Sequence, residues 1–127
     1  MNSYLIVFLG AGLGGMLRHG VNLTAPRLFG VDFPAGTLAI NVVGCTIMGV
    51  VAGYFAFRSG ETLSQATRLF LTTGILGGFT TFSAFSLDFA LLVERGEAGY
   101  AALYVLASVG LSLIGVFAGL ALVRSFA

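Results

Sequence analysis

The stretch "GILGGFTTFSAFS" at residues 74–86 combines three glycines, two threonines, two serines and three phenylalanines inside an uncharged run. Phe82, Phe85 and Phe89 recur on one helical face, with Ser83 and Ser86 beside them. An aromatic ring is electropositive at its edge, so a phenylalanine edge can face an anion without presenting a cation that would hold it too tightly. The same spacing also describes ordinary helix packing. Gly77 and Gly78 permit backbone shapes that other residues resist. A helix break near Gly77–Thr80 would free backbone groups at mid-membrane, which survive only where protein, water or an ion satisfies them. Freed carbonyls suit a small cation; freed amides and hydroxyls suit an anion.

Other polar groups recur at helical spacing. Tyr100, Tyr104, Ser108 and Ser112 fall four apart, with about 6 Å of rise per step. They line one face with hydroxyls, unless the serines bond back to their own helix and the tyrosines sit at an interface. Thr37, Asn41 and Cys45 share a face of an earlier hydrophobic segment. Asn41 lies several residues inside it, and an amide there marks a helix contact or a pathway. Arg18 keeps its charge at any working pH; it either snorkels to the surface or lines a wet vestibule that attracts anions. His19, adjacent, has no second His, Cys or acid at ligand spacing. Cys45 is the only cysteine, so it forms no internal disulfide or thiolate metal site and reads as a small apolar filler.

These residues need elements to hold them. The 127-residue chain is 57 % hydrophobic and 9 % charged, whereas a soluble domain carries roughly 25 % charged residues. A surface that cannot be covered with polar groups must face lipid. Charged residues divide the chain into uncharged stretches at 1–17, 33–57, 69–87 and 98–123. A bilayer span needs about 17–25 apolar residues, so the expected fold is an all-α membrane protein, a single domain over residues 1–127. The first helix is expected from about Tyr4 to Leu23, stopping before Pro26, and the second from about Gly36 to Phe57. The third begins after Arg58–Ser64, capped by Thr62 or Ser64, and reaches about Val93. The fourth follows a turn at Glu94–Glu97 and runs nearly to the carboxyl end. Glycine pairs four apart, Gly10/Gly14, Gly49/Gly53, Gly74/Gly78 and Gly115/Gly119, predict close helix packing.

All six basic side chains are arginines. With four spans, Arg58, Arg68 and Arg124 lie with both termini, and Arg27 and Arg95 lie opposite, with Arg18 near them or in the membrane. Lys/Arg asymmetry sets orientation, and this near balance predicts insertion both ways up. Four helices enclose little, so function needs at least two copies, most simply a twofold dimer, which can be antiparallel if copies insert both ways. A net charge of +1 gives no case for nucleic acid.

Together, "GGFTTFSAFS" at 77–86, "GAGLGGMLRHG" at 10–20 and "GTLAINVVGC" at 36–45 resemble the Fluc (CrcB) family of fluoride channels. The resemblance covers essentially the whole chain. It implies an antiparallel, dual-topology homodimer in the bacterial cytoplasmic membrane, with two pores that export fluoride passively and protect the cell from it. It also implies a central structural Na⁺ held by the backbone carbonyls of Gly77 and Thr80 from both subunits. Phe82 and Phe85 match the ring edges of the fluoride path, Asn41 the pore asparagine, and Tyr104, Ser108 and Ser112 a polar track. Arg18 matches the vestibule arginine. Thr81 and Ser83 join these as hydroxyl donors for a small, strongly hydrated anion. No role is implied for Phe79, His19 or Tyr100.

Three rivals fit less of the chain. A small dual-topology multidrug or cation exporter needs a carboxylate in the first helix, and this helix has none. Gly10-Ala-Gly12-Leu-Gly14-Gly15 matches a dinucleotide fingerprint but lacks its βαβ context, so no enzyme is expected. A passive assembly subunit would carry no flux by itself.

Overall fold

In the computed structural model, residues 2–58 and 64–127 are described. They form helices and connecting turns, with no strand among them. Four segments are long and apolar enough to cross a membrane: Ser3–Phe29, Ala35–Phe57, Gln65–Glu94 and Ala98–Ser125.

The first helix, Ser3–Phe29, starts at Asn2, whose side chain accepts the Tyr4 N–H at 2.7 Å. It does not stop before Pro26, as proline chemistry suggested. Proline deletes one intrahelical donor and clashes with the preceding turn, but here the helix has only one turn left to run. That turn closes when the Gly30 N–H donates to the Pro26 carbonyl at 3.0 Å. Gly30 has φ +80°, a left-handed conformation that glycine adopts without a Cβ penalty. The second helix, Ala35–Phe57, agrees with the expected bounds to within a residue.

The third span is composite. Ser64 caps it, accepting the Thr67 N–H at 3.2 Å; Thr62, the other expected cap, lies outside the described residues. An α-helical turn, Gln65–Leu69, leads into a π-helical stretch, Phe70–Leu76, and then Gly77–Phe79. The chain is extended at Thr80 and Thr81, and helix resumes over Phe82–Glu94. A turn through Gly96, φ +78°, leads to the fourth helix, Ala98–Ser125.

The glycine pairs mate in a fixed order. Gly10 of the first helix faces Gly74 of the third, where a Cβ added to Gly10 would lie 2.8 Å from the Gly74 Cα. Gly14 abuts the Ile75 carbonyl and Phe79, and Gly78 abuts Ala11. Gly49 of the second helix likewise abuts the Val116 carbonyl of the fourth, while Gly115 and Gly119 abut Thr46 and its carbonyl. The first helix therefore joins the third, and the second joins the fourth, by backbone-to-backbone approach that side chains would prevent.

The break in the third span does not use glycine freedom. Gly77 is helical, at φ −63° and ψ −38°. Gly77 and Gly78 precede the break, and Gly78 is there because nothing larger fits against Ala11. The extended residues are two β-branched threonines, a type that favours that backbone region.

The arginines separate as the span order requires. Arg124 stacks on Phe57, 4.9 Å from the ring centre, and Arg68 on Phe55 at 5.9 Å, at the end of the second helix. Arg95 lines a cavity with Pro26 and Gly30 at the opposite end.

Candidate functional site

Asn41 closes the break. Its Nδ2 donates to the Thr81 carbonyl at 2.9 Å, and its Oδ1 accepts the Thr81 N–H at 2.8 Å. One amide thus replaces both helix bonds that Thr81 would otherwise make. The Thr81 hydroxyl turns back as an N-cap and accepts the Ala84 N–H at 3.1 Å. Thr80 donates its N–H at 3.0 Å and its hydroxyl at 2.9 Å to the Leu76 carbonyl.

These diversions leave carbonyls at the break without their helix donors. In a continuous helix the Gly77 carbonyl would accept from Thr81 N–H, and the Thr80 carbonyl from Ala84 N–H. The first donor is held by Asn41 and the second by the Thr81 hydroxyl. Gly77 and Thr80, the residues expected to hold sodium, are thus among the residues at the break whose carbonyls lack helix donors; Gly78 and Phe79 are others, since Phe82 and Ser83 donate no bond to them. Hard carbonyl oxygens suit a small cation. No cluster of three or more His, Cys, Asp or Glu exists among the described residues.

Beside the break lies a cavity of about 270 Å³, with Asn41, Thr81, Phe82, Phe85, Ser108 and Ser112 on its walls. Six of the eight residues expected along a pore thus converge from three helices. Ser108 and Ser112 do not bond back to their own helix. Their Oγ atoms are buried and meet no hydrogen-bond partner among the described residues. Buried hydroxyls without partners are costly and uncommon, so the pair calls for a polar partner beyond the described residues.

The phenylalanines form a tilted pair, with ring centres 5.6 Å apart. Phe85 continues to Tyr104 at 5.2 Å, and Phe82 is 77 % exposed in the single chain. Cys45, read from the sequence as a small apolar filler, is half-buried and also lines this cavity.

The other two expected residues lie outside this cavity. Ser83 lines a second one, about 460 Å³, with Arg18, His19, Asn22 and Thr81. Thr81 belongs to both cavities. Arg18 therefore lines a cavity with two residues of the broken third span, Thr81 and Ser83. Its fixed positive charge draws anions toward Thr81 and Ser83.

Tyr104 is fully buried, packed edge-on by Phe33 at 5.6 Å. Its hydroxyl donates to Asp88 Oδ2 at 3.0 Å. Asp88 is the residue that sequence reasoning passed over. It also lines a third cavity, about 530 Å³, with Thr37 and Arg95. A lone carboxylate inside an apolar span was the available signal, but its partner lies on another helix. Tyr100, one turn earlier in the ladder, is half-exposed and packs on Phe33 at 5.8 Å.

Comparison with known proteins gives the family. The family described as "CrcB-like protein, Camphor Resistance (CrcB)" matches residues 5–120. A protein of Rhodopseudomonas palustris strain BisB5, named fluoride-specific ion channel FluC, is 62 % identical over 97 % of this chain and 98 % of its own length. One of the same name from Methylobacterium nodulans is 61 % identical over 99 % of both chains. Another from Rhizobium etli strain CIAT 652 is 52 % identical over the full length of both. The chain belongs to the CrcB family.

Proposed function

We propose that this CrcB-family chain is a fluoride channel, conducting F⁻ passively through the cytoplasmic membrane and so protecting the cell from it. The observation that carries the reading is the pair of buried hydroxyls without partners among the described residues, on Ser108 and Ser112, two residues that line a cavity with Asn41, Phe82 and Phe85. Fluoride is small and strongly hydrated, so a path must replace its water with close donors. The serine hydroxyls, the second Nδ2 hydrogen of Asn41 and the Thr81 and Ser83 hydroxyls supply these. The positive ring edges of Phe82 and Phe85 attract the ion without a cation that would trap it. Arg18 raises its concentration in the adjoining cavity. Three relatives with the fluoride-channel name, each aligned over nearly the whole chain, support the ion's identity.

The working unit is an antiparallel homodimer inserted both ways up, with two pores. The balanced arginines support dual insertion. The 77 % exposure of Phe82, a pore residue, supports a second copy covering that face. Twofold pairing would bring four carbonyls together, Gly77 and Thr80 from each subunit, around a structural Na⁺. Bound there, the ion would neutralise carbonyl dipoles at the centre of the assembly.

Fluoride efflux from liposomes holding only this protein tests the reading, with chloride-loaded liposomes as control. Fluoride leaves and chloride stays. Well-assembled protein that passes no fluoride would overturn it.

A further inference from the structure

Cys45 lies one helical turn beyond Asn41 on the second helix. It shares a cavity with Asn41, Thr81, Phe85, Ser108 and Ser112. A cysteine sealed among apolar side chains is inert. Here the surroundings are mixed: the Asn41 amide, the threonine hydroxyls and two serine hydroxyls stand among the aromatic walls. Ser108 is 5 % exposed, and its Oγ has no hydrogen-bond partner among the described residues. Ser108 and Cys45 thus line one space of about 270 Å³, and Ser108 brings to its wall a buried polar atom that no described residue satisfies. That space holds a molecule of several heavy atoms as well as water.

We infer that Cys45 is a covalent modification site inside this cavity, open to small, uncharged, thiol-reactive electrophiles. The inference rests on the reading of the cavity as part of the fluoride path. An uncharged reagent suits a path whose walls select by charge and size. With methyl methanethiosulfonate, the Cys45 sulfur attacks the reagent's sulfenyl sulfur after its proton passes to water. A new S–S bond forms as the bond to the sulfonyl sulfur breaks, and the electron pair leaves with methanesulfinate. The thiol is oxidised to the disulfide level and the sulfonyl sulfur is reduced to sulfinate, so the step needs no other oxidant. The attached methylthio group then occupies volume between Asn41 and Ser112. It brings a methyl where an ion would need donors.

Cys45 is the chain's single cysteine, so labelling has one address. The test treats purified, reconstituted protein with methyl methanethiosulfonate at mildly alkaline pH and reads intact mass and fluoride efflux on the same sample. The expected result is one methylthio group per chain and a fall in flux of roughly tenfold or more. Dithiothreitol reverses both. Cys45→Ala and Cys45→Ser chains gain no mass, and the reagent leaves their flux at its own starting level. Labelling only after denaturation would overturn the inference, because the thiol would then be sealed from the cavity. Complete labelling with unchanged flux would also overturn it, because the thiol would lie off the path. Absence of flux before any treatment would instead sink the channel reading, and the mass measurement would still decide whether the cavity admits the reagent.

Discussion

Asn41 grips both backbone polar groups of Thr81, at 2.9 Å and 2.8 Å, across 40 residues of sequence. The amide copies the pair of bonds that one strand residue makes with a neighbour. This is why a span can stop being helical at mid-depth and remain satisfied. The same grip frees the Gly77 carbonyl and positions the Thr81 hydroxyl between two cavities.

Asn41→Leu keeps the volume and removes the grip. The Thr81 N–H and carbonyl then lose their partners, at about 1–3 kcal/mol each. Thermal unfolding in detergent should shift well downward, and fluoride flux should fall with it. Unchanged stability would show that the break is held by something other than this amide.

Phe82→Ile and Phe85→Ile test the ring edges. Each keeps an apolar side chain and removes the aromatic quadrupole, so each should cut flux while the protein stays folded and assembled. Phe85→Ile should also cost stability, because Phe85 packs on Tyr104. Wild-type flux in both variants would exclude an edge-on role.

Ser108→Ala and Ser112→Ala should separate stability from function. Neither hydroxyl has a hydrogen-bond partner among the described residues, so removing one leaves stability unchanged or raises it by about 1 kcal/mol. Flux should fall, but less than in the phenylalanine variants, because other donors remain. A lower unfolding temperature would mean that the hydroxyl holds a structural bond.

Gly14→Ala should destabilise the chain by about 1–3 kcal/mol or more, because its Cβ would meet the Ile75 carbonyl of the third span. Gly12→Ala, two residues away, meets nothing within 4 Å and should be neutral or slightly stabilising. Equal unfolding temperatures for the two variants would exclude the proposed close approach.

Sodium removal addresses the Gly77 and Thr80 carbonyls. Prolonged dialysis of the purified protein against a bulky organic cation should lower both flux and stability, and sodium should restore them. A protein indifferent to complete sodium removal would have no structural ion there.

Much of this was legible in the residues. An apolar chain divided by a few arginines, Pro/Gly turns and cap residues dictates four spans, because those signals act over a turn or two. The glycine pairs announced close contact, and the Tyr/Ser ladder announced a polar face. The pairing of those faces was not legible. Apolar residues run all around each helix, so hydropathy does not label the inward side as it would in a soluble bundle. Only the assembled tertiary structure joined first to third and second to fourth helix. It put the break expected near Gly77–Thr80 at Thr80–Thr81 and aimed Asn41 at it. It also joined Asp88 to Tyr104, and put Cys45 on a cavity wall. Spans follow from local solvation and hydrogen bonding along one helix. Sites depend on which polar atom meets which across helices, and such contacts exist only once the helices have packed.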